Sequence, residues 1–257
     1  MTSSTIYLIT GANRPRGIGF GLVVRILTAH QNSFVYAGAR SPENAIELQG
    51  LKTKYPGRIE VVKCISGDTE GNATLAKAIE ERHGRIDTVI ANAAIWSTFA
   101  RIDDVTSADL QEHFHVNVMG PIVLFQAMLP LLKKSPNPKF VPMSSTGGSI
   151  GGENLVASQV GGVCYGATKA TLNWVARKIH FENDWIVAFP MSPGGVSTDL
   201  LSDTSDNDPT GIFKTFLTGN EPTAEEAAKL IMQVIDDSTR ETSGGKFMHL
   251  DGSTIPW

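Results

Sequence analysis

Tyr165 and Lys169 stand four residues apart in the run Tyr165-Gly166-Ala167-Thr168-Lys169. On a helix that spacing puts a phenol and an ammonium on one face. A tyrosine titrates near ~10 and exchanges protons poorly at neutral pH, but a fixed cation nearby stabilises the phenolate and lowers that value. Such a pair can hold a substrate oxygen while a proton moves. The spacing alone is common, and its ordinary meaning is a half-buried tyrosine beside a solvated lysine. The pair gains weight only from what surrounds it.

A second constellation lies near the start of the chain. Thr10-Gly11-Ala12-Asn13-Arg14-Pro15-Arg16-Gly17-Ile18-Gly19 follows one apolar run and opens another. Glycines between a strand and a helix let backbone approach a pyrophosphate, and the helix N-terminus adds amide donors and partial positive charge. Gly11, Asn13, Arg14, Gly17, Ile18 and Gly19 are therefore expected to bind a dinucleotide. The next apolar run ends Ala37-Gly38-Ala39-Arg40, with no carboxylate before Glu43. An NAD site usually has Asp or Glu there for the ribose 2′-hydroxyl, whereas arginine suits the 2′-phosphate of NADP. Arg40 is the expected phosphate ligand, and Arg14 and Arg16 add to the same field.

These residues need a frame, and the apolar pattern describes one. Short strands are expected at Ile6–Thr10, Phe34–Ala37, Ile59–Ile65, Thr88–Ala91, Phe140–Met143, Ile186–Phe189 and Lys246–Leu250. Helices are expected at Ile18–Ala29, after a Ser41 cap, at Asn72–Arg82, from Ser107 towards Lys134 with a break near Gly120-Pro121, at Tyr165–Phe181, and after Thr223. Alternation of this kind means parallel strands joined by right-handed crossovers, a doubly wound α/β sheet flanked by helices on both faces. Residues 1–257 read as a single Rossmann-like domain with two interruptions: a flexible glycine-rich loop at 146–163 and a polar segment at 199–222, expected to be a substrate lid.

Composition excludes several other classes. The net charge is −4, so there is no basic footprint for nucleic acid. Cys64 and Cys164 fit no metal or redox spacing, and the six histidines share no ligand spacing, so no metal is expected. No apolar run reaches the ~18 residues a membrane span needs, and the first residues do not resemble a signal peptide. A cytoplasmic protein that binds neither membrane nor nucleic acid is expected.

Six ordered motifs, spread over nearly the whole chain, resemble those of the classical short-chain dehydrogenase/reductase family. They are Thr10-Gly11 with Gly17-Ile18-Gly19; Asn92-Ala93-Ala94; Asn117; Ser144-Ser145; Tyr165 with Lys169; and Pro193-Gly194 followed by Thr198. The resemblance implies a nicotinamide-dependent oxidoreductase with Tyr165, Lys169, Ser145 and Asn117 as its catalytic set. It implies that Tyr165 is the general acid in carbonyl reduction and that Lys169 lowers its pKa and holds the nicotinamide ribose. Ser145 would hold the substrate oxygen, and Asn117 would support a proton relay. The resemblance also assigns Asn92, Ala93, Pro193, Gly194, Val196 and Thr198 to the cofactor cleft. With Arg40, the cofactor expected is NADP (NADPH). A homodimer or homotetramer is the usual assembly.

The chain departs from the family in three places. Five residues separate Gly11 from Gly17, so Arg14-Pro15 looks like an insertion. Cys64-Ile65-Ser66-Gly67-Asp68 has no acid at the strand-end position that usually meets adenine, so either Asp68 shifts into that role or the contact is lost. The stretch between Ser145 and Tyr165 is longer than usual and is expected to line the substrate pocket. Trp96, Phe99, Phe213 and Phe216 fall in segments that border the pocket in the family, which favours an apolar or aromatic ketone as in fungal-type ketoreductases. Reduction of an imine or enone, and a non-catalytic NADPH-binding regulator, remain open alternatives.

Overall fold

The structure, a computed structural model, describes residues 4–152, 161–208, 211, 214 and 219–257. Six strands form one parallel sheet: β1 (Thr5–Ile9), β2 (Ser33–Ala39), β3 (Ile59–Lys63), β4 (Thr88–Ala91), β5 (Lys139–Pro142) and β6 (Val187–Ala188). Their order is β3-β2-β1-β4-β5-β6, so the direction of winding reverses between β1 and β4. β7 (Met191–Ser192) and β8 (Met248–His249) form a short parallel pair, and a bridge from Met143 to Met191 seats β7 beside the end of β5. Pro190 separates β6 from β7 because it has no N–H to give a ladder.

Residues alternate between the two faces of the strands, and each face is covered. Tyr7, Ile9, Val35 and Ala37 pack with Leu22, Val23, Ile26 and Leu27 of α1 (Ile18–Ala29). The same core takes Leu48 and Leu51 of α2 (Ile46–Lys54), and Ala227, Ile231 and Ile235 from the chain's last long helix. On the other face Ile6, Leu8, Phe34 and Tyr36 meet Leu75 and Ile79 of α3 (Thr69–His83). Behind α3 the chain enters α4 (Ser107–Phe114), a π turn at His115–Met119 and α5 (Gly120–Leu132). α5 gives Leu124, Met128, Leu131 and Leu132 to this core, and α6 (Val163–Glu182) gives Ile179. The run 107–132 is long and apolar enough to cross a membrane, where no such run was expected, and its buried residues pack into this core. Two helices follow, α7 (Asp199–Asn207) and α8 (Ala224–Asp237).

Local signals explain most boundaries. Thr106 with Asp109 and Thr223 with Glu226 form capping boxes at α4 and α8, and left-handed Gly84 ends α3. Four expectations are corrected. Ser41 makes no cap bond: Pro42–Asn44 is a 3₁₀ turn and α2 starts at Ile46. The third strand stops at Lys63 rather than Ile65. The expected break at Gly120-Pro121 is a widened turn just before Gly120, so the helical path is not interrupted. The segment at 199–222 begins as helix α7 rather than loop.

Candidate active site

Gly11, Arg40, Asn92, Ser145 and Pro193–Thr198 follow β1, β2, β4, β5 and β7, so the sheet delivers them all to its carboxyl edge. That edge, at the reversal of strand order, is where open α/β sheets take ligands.

The turn after β1 is held from behind by β4. Asn92 donates through Nδ2 to the carbonyls of Thr10 (2.9 Å) and Gly11 (3.3 Å). The Thr10 hydroxyl accepts from the amides of Asn92 and Ala93, both at 3.0 Å. Gly11 has φ +64 and comes so close that a Cβ would lie 2.8 Å from Ala93 Cα. A Cβ on Gly19 would lie 2.6 Å from Asn92 Nδ2. Backbone thus forms the surface of the turn. Gly17 caps α1 with no side-chain bond, and the helix has no acid in its first turn. An uncapped helix start lined by glycine backbone fits a pyrophosphate.

The basic residues divide. Arg40 is exposed, and its side chain makes no hydrogen bond or ion pair among the described residues. Arg14 pairs with Asp203 at 2.9 Å and Arg16 with Asp199 at 3.6 Å, so both reach across to α7. Asn13 is exposed and Ile18 packs against the core. Asp68 is committed elsewhere: it caps α3 by accepting from the Gly71 amide at 2.9 Å. A small pocket beside the end of β3 is lined by Thr10, Cys64, Ile65, Ser66, Ala93 and Gly120.

Of the four residues expected to be catalytic, Tyr165, Ser145 and Lys169 come together, and Asn117 is linked to them through Thr168. Tyr165 lies in the first turn of α6 and is buried. Half-buried Ser145 caps the 3₁₀ turn Thr146–Gly148, accepts from the Gly147 amide at 3.1 Å and hydrogen-bonds Tyr165. Lys169, one turn along, donates to the Met143 carbonyl at 2.7 Å and sits 5.3 Å from the Tyr165 ring centroid. Burial pushes the Tyr165 hydroxyl up to about 12, against the opposing pull of Ser145. Burial draws Lys169 down to about 7. Lys169, expected to lower Tyr165, is not among the groups that shift it: desolvation is the largest influence and raises it, and the Ser145 bond lowers it.

Asn117, fully buried in the π turn, joins two elements. Its Nδ2 donates to the Ile95 carbonyl (2.9 Å) and to Thr168 Oγ1 (3.1 Å), and its Oδ1 accepts from the Ile95 amide (2.9 Å). Four residues on is Pro121, which has no N–H, so the regular helical bond to the Asn117 carbonyl cannot form. On the remaining side Pro193, Gly194, buried Val196 and buried Thr198 run in one segment, and Thr198 caps α7 by accepting from the Leu201 amide at 3.2 Å.

Sequence reasoning missed several supports. Ser192, fully buried, accepts from the amides of Thr146 (3.0 Å) and Gly194 (3.3 Å), tying the Ser145 turn to the cofactor segment. His113 accepts from the Ser97 amide at 3.2 Å, and Asp109 from Thr98 at 2.9 Å. No local pattern marks such long-range partners. The Trp96 ring lies parallel to the Tyr165 ring, 4.2 Å between centroids and 6° between planes. Phe99 is stacked on Trp96 at 5.8 Å and 11°. Phe213, Phe216 and residues 153–160 of the glycine-rich stretch lie outside the described residues. Among the described residues no cluster of three metal-ligating side chains occurs.

Comparison with known proteins gives the family and the fold. The sequence profile described as short chain dehydrogenase matches residues 5–209. The chain is 33% identical over 261 residues to the norsolorinic acid ketoreductase of Aspergillus parasiticus, covering 98% of this chain and 91% of that protein. It is 35% identical over 257 residues to the short chain dehydrogenase gsfK of Penicillium aethiopicum, covering 97% and 98%. Among solved structures it superposes on the NADPH-bound carbonyl reductase from chicken fatty liver with a TM-score of 0.86 and 29% identity, covering 99% of this chain and 100% of that one.

Proposed function

The chain belongs to the short chain dehydrogenase family and is an oxidoreductase, and from that premise we propose that it reduces an apolar or aromatic ketone to the alcohol with NADPH, Tyr165 being the general acid. The observation that carries this reading is the meeting of Tyr165, Ser145 and Lys169 at one buried point beside the glycine turn. The named ketoreductase and the NADPH-bound carbonyl reductase among its relatives support it.

Gly11, Asn13, Gly17, Ile18 and Gly19 would present backbone to the pyrophosphate, and Arg40 would take the 2′-phosphate, with Arg14 in reach of the same charge. Asn92 and Ala93 back the cleft, and Pro193, Gly194, Val196 and Thr198 would hold the nicotinamide end. The cofactor supplies hydride. The chain's own groups handle the oxygen. Ser145 Oγ and the Tyr165 hydroxyl hold it, and a phenol held near 12 keeps its proton until charge develops on that oxygen. Lys169, near 7, exchanges protons at neutral pH and can restore the one that Tyr165 gives up. Asn117 and Thr168 fix the turn of α6 that carries Lys169.

The test is a titration of NADPH and NADH by cofactor fluorescence, with ketone turnover followed in parallel. Wild type should prefer NADPH, Arg40→Ala should lose that preference, and Tyr165→Phe should bind NADPH but form no product. Binding without turnover in wild type overturns the catalytic reading; equal affinity for the two nucleotides overturns the NADP assignment.

A further inference from the structure

The three rings of Tyr165, Trp96 and Phe99 are almost parallel. A centroid separation of 4.2 Å is van der Waals contact, so nothing fits between the Trp96 indole and the phenol of the general acid. A ligand that bonds the Tyr165 hydroxyl therefore lies outside the gap between these two rings. A carbonyl that accepts from that hydroxyl lies close to the plane of the phenol. An aryl ketone keeps its carbonyl in the plane of its own ring, and of the orientations open to it about that hydrogen bond, the one parallel to the stack gives it face contact with aromatic rings.

The stack is built, not incidental. Asn117 grips Ile95 through both its amide and its carbonyl, and His113 and Asp109 bond Ser97 and Thr98. The residues on both sides of Trp96 are thereby fixed, which removes ordering cost from any contact the indole makes. Beyond it, Gly161 lies against Phe99: a Cβ there would be 2.5 Å from Phe99 Cδ1, and its φ of +91 favours glycine independently. Phe99 is thus backed by backbone where any larger residue would tilt it.

We propose that Trp96 is a specificity-determining residue that selects flat aromatic ketones over alicyclic ones of the same size, by stacking beside Tyr165. This rests on the ketone reduction proposed above. The probes are 1-tetralone and 1-decalone, which share a carbon skeleton and differ in the flatness of one ring. Wild type should show a KM for 1-tetralone about three- to tenfold below that for 1-decalone, the range expected of one aromatic pair. Trp96→Leu should bring the two KM values together, and Trp96→Phe should leave a ratio between those of wild type and Trp96→Leu. A merely structural role would shift both ketones alike. A wild-type ratio of one, or a ratio that survives in Trp96→Leu, overturns the proposal. Calorimetric binding of both ketones to the protein saturated with NADP⁺ repeats the comparison without turnover. A Trp96-dependent preference in binding, with no reduction, keeps the Trp96 assignment and removes the ketoreductase reading. Absence of 1-tetralone binding removes the assignment itself.

Discussion

A lysine taken out of water holds its proton poorly, and burial brings Lys169 from 10.5 to about 7. Between those values the unfolded chain carries a proton that the folded chain lacks, so raising the pH across that window favours folding. Below about 7 the full cost of charging the buried amine is present. The urea midpoint should rise from pH 7 towards 10, and Lys169→Met should flatten that rise. Tyr165 acts in the opposite sense at higher pH, because its folded value of about 12 exceeds the ordinary 10.0 and stability falls as the unfolded phenol ionises. Gly11 makes a second prediction at this scale. Gly11→Ala must hold a left-handed backbone, costing about 1–2 kcal/mol, and drive a methyl to 2.8 Å from Ala93 Cα. NADPH affinity should fall with the thermal midpoint, whereas Gly57→Ala, whose φ is also positive but whose Cβ would meet nothing, should change only the midpoint.

Among the elements, the π turn between α4 and α5 carries the longest argument. It turns Asn117 inward, and Pro121 deprives the Asn117 carbonyl of its helical donor. Thr168→Val would leave one Asn117 Nδ2 proton buried without an acceptor, at a cost of about 1–3 kcal/mol. Thermal unfolding should register that loss, and Thr168→Ser should recover it. The pairs Arg14–Asp203 and Arg16–Asp199 link the phosphate turn to α7, but exposed pairs are worth about 0–1 kcal/mol and weaken in salt. Arg14→Ala should therefore barely move the melting temperature. The legibility of the chain divides along the same line between local and distant causes. Caps at Thr106 and Thr223, the Gly84 stop and the apolar strands are written in neighbouring residues, so they were readable. The π turn was not, since its apolar spacing differs little from that of an α-helix. Nor was the gap at Pro190, which depends on the strand beside it. Of the site, the glycine turn was visible from spacing alone, and Ser145, Asn117 and Thr198 only through family resemblance. The Trp96 stack, joining residues 69 positions apart, had no local signal at all.

At the scale of the whole molecule, one buried carboxylate ties the sheet's centre together. Asp87 accepts from the Ile6 amide (2.8 Å), Arg85 Nε (2.9 Å) and Ser135 Oγ (2.6 Å). Asp87→Ala would remove the acceptor these three donors share, and a loss of about 1–3 kcal/mol is expected in urea unfolding, the cost of leaving a buried donor without its acceptor. The strand that this carboxylate secures is also the earliest of its sheet along the chain. β1 precedes the other five strands of its sheet along the chain, yet it ends between β2 and β4, and β4 begins at Thr88. Until β4 has been made, one edge of β1 has no partner in the sheet. Pairing across so long a separation is slow, so a partly made chain exposes an unpaired strand edge, the kind of surface that favours association with other chains.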